Sequence, residues 1–245
     1  MYGISELQRR GYVFFYDGKE KYSCMNLGAL MQDGIAVDWH QCIMICDSFM
    51  MLRGDAAWHD VACDVMLQVL RRTHIRCMLV VVPGASFKNR MYDEVFHCMQ
   101  QCVAAPGAIV WIAMGNDIFP PGDKRIQRNF SSIEGEIKDF FFGRRWFCLP
   151  QCLVFGGSSA LWGYDKTMEK MHCEVYDSMV SSIVQTVKKM DIPCMTGHAV
   201  FSGLQVVDSV GHVPQGSQEV ITQGLCILAK WGIRSWLLTS RFSKL

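Results

Sequence analysis

Short apolar runs alternate with segments of helical periodicity from residue 40 onward. Runs of this length, bounded by turn-forming residues, predict β-strands. Strands that alternate with amphipathic helices are typical of a parallel sheet with a helical layer on each face. We therefore expect a three-layer α/β/α sandwich around a central five-stranded parallel sheet. The predicted strands span residues 42–47, 77–82, 108–114, 152–155 and, more weakly, 194–201.

Residues 1–39 precede this pattern and are expected to form an N-terminal extension. Within it, the run Tyr12-Val13-Phe14-Phe15-Tyr16 and the polar turn that follows predict a strand or a hairpin. No function can be assigned to this segment from its sequence. The predicted organisation is thus an extension over residues 1–39 and one α/β domain over residues 40–245.

Composition narrows the classes of ligand. Half of the 245 residues are hydrophobic, so the chain can bury the core of a large domain, which disfavours disorder. The formal net charge is only +1 and the basic residues are dispersed, so the sequence does not indicate binding to nucleic acid. Charges, glycines or prolines interrupt every apolar stretch before it reaches membrane-spanning length. We expect a soluble protein that binds a small molecule, and the sequence does not indicate an oligomeric state.

Twelve cysteines raise the question of disulfides and metals. The polar N-terminus does not resemble a secretory signal, which favours the cytoplasm or another reducing intracellular compartment. No C-x-x-C pair of a zinc ribbon is present, so neither a metal nor another cofactor is predicted. Three C-x-x-x-C spacings favour buried small hydrophobic residues and leave metal binding as the alternative. These spacings are Cys42/Cys46, Cys98/Cys102 and Cys148/Cys152.

Four residues at predicted strand ends have the chemistry of acyl transfer. Ligands bind beyond the carboxyl ends of parallel strands, where Ser48, Gly84 and Asn116 are expected to meet. His212 follows the fifth predicted strand on the same edge. Serine can act as a nucleophile when a histidine accepts its proton, and backbone or amide N–H groups can stabilise the oxyanion. We expect the oxyanion donors to be Ser48, Gly84 and Asn116.

These residues resemble the four sequence blocks of the SGNH hydrolases, also called GDSL-type esterases and lipases. The resemblance covers roughly residues 40–231 and implies a flavodoxin-like sheet and a serine esterase that hydrolyses O-acetyl or other acyl esters. It implies catalytic roles for Ser48, His212 and Asp208. The matching segments are Cys46-Asp47-Ser48, Pro83-Gly84-Ala85-Ser86, Gly115-Asn116-Asp117 and the stretch from Asp208 to His212.

The sequence departs from the family pattern at two positions. Cys46 stands where the first block normally begins with glycine, which places extra bulk near Ser48. Asp208 precedes His212 by four residues, whereas the family normally places aspartate three residues before the histidine. Because this aspartate orients the histidine, a displaced partner would weaken catalysis. A binding or scaffold module that retained the fold and lost activity is therefore the alternative function.

Other residues at predicted strand ends are alternative candidates. Ser158 and Ser159 follow a glycine pair, but the chain lacks the G-x-S-x-G elbow of α/β-hydrolases. His198 is a second candidate base. The chain also lacks the G-x-G-x-x-G and G-x-x-x-x-G-K patterns of phosphate-binding loops, which disfavours nucleotide binding.

Overall fold

Five strands run parallel at the centre of the computed structural model, and all of them except the last are fully buried. They are β3 (Cys42–Cys46), β4 (Cys77–Val81), β5 (Ala108–Ala113), β6 (Gln151–Phe155) and β7 (Cys194–Thr196). Their order in the sheet is β4-β3-β5-β6-β7, which is the order of a flavodoxin-like sheet. The predicted five-stranded parallel sheet is confirmed. The structure describes residues 4–32, 41–51, 57–102, 107–118, 129–142, 151–157, 170–204 and 216–242.

Two antiparallel strands extend this sheet to seven strands. Strand β1 (Tyr12–Tyr16) pairs with β2 (Tyr22–Asn26) as a hairpin, and its other edge pairs with β4. The sheet is therefore mixed, with the hairpin added at the β4 edge. A short helix lies on each side of the hairpin along the chain, α1 (Ile4–Arg10) before it and α2 (Leu27–Gln32) after it.

The remaining helices follow the strands, in agreement with the predicted alternation. They are α3 (Trp58–Thr73), α4 (Met91–Cys102), α5 (Phe130–Phe142), α6 (Lys170–Lys188), α7 (Gly197–Val200) and α8 (Gln218–Phe242). None of the helices in the described ranges is long and apolar enough to span a membrane.

Two neighbouring residues of β5 show the three layers. Trp111 is fully buried and contacts the rings of Tyr92 in α4 and Phe140 in α5. Val110 projects to the opposite face, because successive side chains of a strand alternate. There it meets α8 at Gly232, where an added Cβ would lie 3.1 Å from the Val110 side chain. The sheet is thus covered on both faces, which explains why its strands are apolar throughout.

The fifth predicted strand is shorter than the sequence pattern indicated. Strand β7 ends at Thr196, whereas the prediction continued to residue 201. The Thr196 hydroxyl accepts a hydrogen bond from the Ala199 backbone N–H at 3.2 Å and caps α7. An N-cap threonine satisfies a free helix N–H, so the chain turns into a helix where its apolar composition suggested a strand.

Candidate active site

The candidate nucleophile lies in a short helical turn directly after β3. Residues Ser48–Met50 form a 3₁₀ turn, and Ser48 is half-buried. The Asp47 side chain caps this turn by accepting a hydrogen bond from the Phe49 N–H at 2.8 Å. The Ser48 carbonyl accepts a second one from the Met51 N–H at 2.9 Å. Both ends of the turn are therefore fixed, and with them the main chain of Ser48.

Asp47 also joins this turn to the loop that follows β5. The backbone N–H groups of Gly115, Asn116 and Met114 face its carboxylate and favour its charged form. The side chain is 3% exposed, and burial raises its pKa to about 6, although these N–H donors act in the opposite direction. The carboxylate thus connects the first and third sequence blocks, and we infer a structural role for it.

The second block forms a turn that requires glycine. The Ala85 N–H donates to the Val82 carbonyl at 3.0 Å, and Gly84 has a φ of +78°. Proline followed by a residue of positive φ is the signature of a type II turn. Asn89 holds the loop by donating its side-chain N–H to the Gly84 carbonyl at 2.7 Å. Gly84 is half-buried, so its backbone lies near the surface of the sheet edge.

Two hydrogen bonds join the second block to the third. The Asn116 amide donates from Nδ2 to the Ala85 carbonyl at 3.2 Å. The buried Asp117 accepts at Oδ1 from the Phe87 N–H at 2.8 Å. An Asn amide carries two N–H groups, so this arrangement leaves one of the two Asn116 donors for a ligand. The loops after β4 and β5 are therefore hydrogen-bonded to each other. The Asp47 carboxylate, which faces the N–H groups at the start of the β5 loop, places the loop after β3 beside them.

The structure places three of the five predicted site residues at this edge. Ser48, Gly84 and Asn116 all belong to the joined loops. His212 and Asp208 lie outside the described residues, as do Ser158 and Ser159. The roles of all five site residues stay predictions.

The other candidate base, His198, lies in α7 and is exposed. Helix α7 follows β7 directly, so His198 is also at the carboxyl edge of the sheet. The exposed His198 ring is therefore the alternative to His212 as the general base.

Cys46 occupies the protein interior. Its side chain is fully buried, and Sγ lies 3.6 Å from the Val80 carbonyl oxygen of the neighbouring strand β4. Burial, together with the nearby Asp47 carboxylate, raises the pKa of its thiol well above the usual value. The bulk expected at this position is accommodated between two strands.

Sequence reasoning missed Asn89. Its Oδ1 accepts hydrogen bonds from the N–H groups of Ser86 and Met91, both at 3.1 Å, while its Nδ2 holds Gly84. The signal that was present is an asparagine just before a helix, because an Asn side chain commonly bonds the backbone N–H two residues further on. Its contact with Gly84 has no local sequence signature.

Solved structures with the same architecture are acyl hydrolases. A candidate acylhydrolase from Bacteroides fragilis superposes with a TM-score of 0.54 at 11% identity, over 84% of this chain and 95% of that one. A lipase/acylhydrolase from Enterococcus faecalis gives 0.51 at 14% identity, over 78% and 95%. An acetyl xylan esterase gives 0.52 at 8% identity, over 76% and 98%.

The chain therefore has the fold of the SGNH, or GDSL-type, hydrolases. Identities this low establish the architecture alone, because one fold hosts many activities. No protein-family model and no curated protein sequence matches the chain.

Proposed function

We propose that this protein is a serine esterase that hydrolyses a small carboxylic ester. The observation that carries the proposal is the close association of the three loops that hold Ser48, Gly84 and Asn116. Two of these loops are joined by hydrogen bonds, and the Asp47 carboxylate beside Ser48 faces N–H groups of the third. Donors that are fixed before the reaction stabilise developing charge without the cost of reorganising them. The fold shared with an acetyl xylan esterase and with lipases supports an acyl ester as the substrate.

In the proposed reaction, Ser48 Oγ attacks the ester carbonyl carbon and its proton passes to His212. The carbonyl oxygen becomes an oxyanion, which binds the backbone N–H groups of Ser48 and Gly84 and the second Asn116 side-chain N–H. The C–O bond to the alcohol then breaks, and the histidine returns its proton to that alcohol. Water hydrolyses the acyl-serine by the same route, and Asp208 stabilises the protonated histidine.

The first test is the substitution Ser48→Ala, with Ser132→Ala on the exposed face of α5 as the matched control. Turnover of p-nitrophenyl acetate should fall by about 10³-fold or more in Ser48→Ala, because the nucleophile is lost. The control should retain wild-type turnover. Equal turnover in the wild type and Ser48→Ala would overturn the proposal.

A second measurement separates the esterase from the inactive binding module. A fluorophosphonate labels a serine whose hydroxyl is activated by a base, so mass spectrometry should locate the label on Ser48 at neutral pH. Folded protein that takes up no label and turns over no ester would favour the binding module. Labelling of a different serine would show that the nucleophile has been assigned wrongly.

A further inference from the structure

The N-terminal segment reaches the candidate active site through its pairing with β4. Strand β1 runs antiparallel to β4, so Tyr12 at its start pairs with Val81 at the end of β4. The residues before Tyr12 must therefore lie at the carboxyl edge of the sheet, beside the loop that contains Gly84. Arg10, the last residue of α1, occupies this position.

The guanidinium of Arg10 lies over Gly84. A Cβ atom built on Gly84 would be 3.6 Å from Arg10 Nη1, and no other atom of the described chain outside its two neighbours comes within 4 Å of it. Since N–Cα and Cα–Cβ bonds are each about 1.5 Å long, Nη1 lies within roughly 6 Å of the Gly84 nitrogen. The N–H proposed to bind the oxyanion is therefore close to a fixed positive charge.

This end of α1 is held in place by the main chain. The Gly11 N–H donates to the Leu7 carbonyl at 2.8 Å, and the Leu27 N–H donates to the Gly11 carbonyl at 2.7 Å. A Cβ on Gly11 would lie 2.8 Å from the Leu27 side chain, so helix α1 and the start of α2 approach closely. Arg10 thus projects from a fixed point, which reduces the entropy lost when its side chain binds a ligand.

The local charge at this position is positive. Arg9 and Arg10 both form ion pairs with the carboxylate of Glu6, so two guanidinium groups share one negative charge. The Arg10 side chain is 53% exposed, whereas that of Glu6 is 10% exposed. Arg10 Nε binds Glu6, while Nη1 faces Gly84 and has no hydrogen-bond partner among the described residues.

The geometry points to Arg10 as a specificity-determining residue that binds a negatively charged group, a carboxylate above all, carried by the substrate beside the scissile ester. Arginine is suited to this role because its planar fork binds carboxylates through two parallel hydrogen bonds. This inference rests on the proposed esterase function, in which Gly84 contributes to the oxyanion hole.

Near-isosteric esters that differ in charge provide the test. Propyl butyrate is neutral, monopropyl succinate carries a carboxylate on the acyl side, and the butyrate ester of 3-hydroxypropanoate carries one on the alcohol side. In a pH-stat assay, Arg10→Ala should lower kcat/KM about tenfold more for at least one charged ester than for the neutral ester, as expected for loss of one opposite charge beside the substrate anion. Raising the salt concentration should narrow the difference in the wild type.

Arg9→Ala is the matched control, because Arg9 lies next to Arg10 and pairs with the same Glu6. It should leave kcat/KM for all three esters within about twofold of wild type. Arg10→Lys should retain part of the preference, because it keeps the charge and loses the fork. An equal loss for neutral and charged esters in Arg10→Ala, or no loss for any ester, would overturn the inference.

A binding measurement keeps this test independent of turnover. N-propylsuccinamate, an amide analogue of the charged ester, can be titrated into folded Ser48→Ala protein by calorimetry and compared with the neutral N-propylbutanamide. Tighter binding of the charged amide that disappears in Ser48→Ala/Arg10→Ala supports the anion site even if the protein hydrolyses no ester. Equal binding of the two amides would overturn the anion site while leaving the esterase proposal intact.

Discussion

The buried carboxyl group of Asp47 gives a prediction whose sign is fixed by the structure. Burial raises its pKa from 3.8 to about 6 in the folded protein. In the pH range between these values the folded state binds more protons than the unfolded state, so the free energy of unfolding must decrease as the pH rises. The contribution amounts to about 3 kcal/mol between about pH 3 and pH 8, since one pKa unit corresponds to about 1.4 kcal/mol.

Asp47→Asn isolates this contribution, because an amide of the same shape cannot ionise. The free energy of unfolding is measured by urea denaturation with tryptophan fluorescence, for wild type and variant, at several pH values. All other titrating groups act alike in the two proteins and cancel in the difference. The wild type minus variant difference should fall by about 3 kcal/mol from low to neutral pH.

Asp139→Asn is the control for the chemical substitution itself. Asp139 is exposed on α5, so Asp139→Asn makes the same chemical change at a position where no carboxyl group is buried. A difference for Asp47→Asn that is flat, or that rises with pH, would refute the reasoning. A rise would mean that the N–H groups of Phe49, Met114, Gly115 and Asn116 outweigh the cost of burying the charge.

Two further predictions concern packing and a buried hydrogen bond. Gly197→Ala should destabilise the protein by about 1–3 kcal/mol, because the new Cβ would lie 2.4 Å from the Met114 side chain. The new Cβ of Gly135→Ala in α5 would meet no atom within 4 Å, so this substitution should stabilise the protein by about 0.5–1 kcal/mol. Thermal unfolding compares the two, and equal effects would contradict the packing argument. Gln151→Leu should cost about 1–3 kcal/mol, because Gln151 Oε1 accepts the buried Trp111 indole N–H at 2.8 Å. That cost should shrink in a Trp111→Phe background, and an unchanged cost in this double-mutant cycle would refute the assigned hydrogen bond.

The local pattern of hydrophobic and polar residues was sufficient to predict most of the fold, because the central strands are apolar on both faces and the helices between them are amphipathic. It failed at β7, where one hydrogen bond of Thr196 starts a helix inside an apolar segment. It also could not predict that β1 pairs with β4, since strand pairing is a non-local property. The position of Arg10 beside Gly84 follows from that pairing, so it could not be predicted from the sequence either.

The candidate site was predictable where strand ends define it. Ser48, Gly84 and Asn116 follow the predicted strands, and a parallel sheet brings such positions to one edge. Asn89 was not predictable as a partner of Gly84, because its hydrogen bond to that carbonyl depends on how the loop folds back. His212 and Asp208 lie in a segment without strong periodicity, which gave no fixed point from which to place them.

The two buried aspartates explain why these loops can hold a reactive geometry. Asp47 follows β3 and binds the loop after β5, while Asp117 follows β5 and binds the loop after β4. Each is next in sequence to a predicted functional residue, Ser48 and Asn116 respectively. A buried carboxylate that accepts backbone N–H groups is costly to displace, since those donors would lose their partners away from water. The arrangement therefore fixes Ser48 and Asn116, the proposed nucleophile and a proposed oxyanion donor, relative to each other through adjacent main chain.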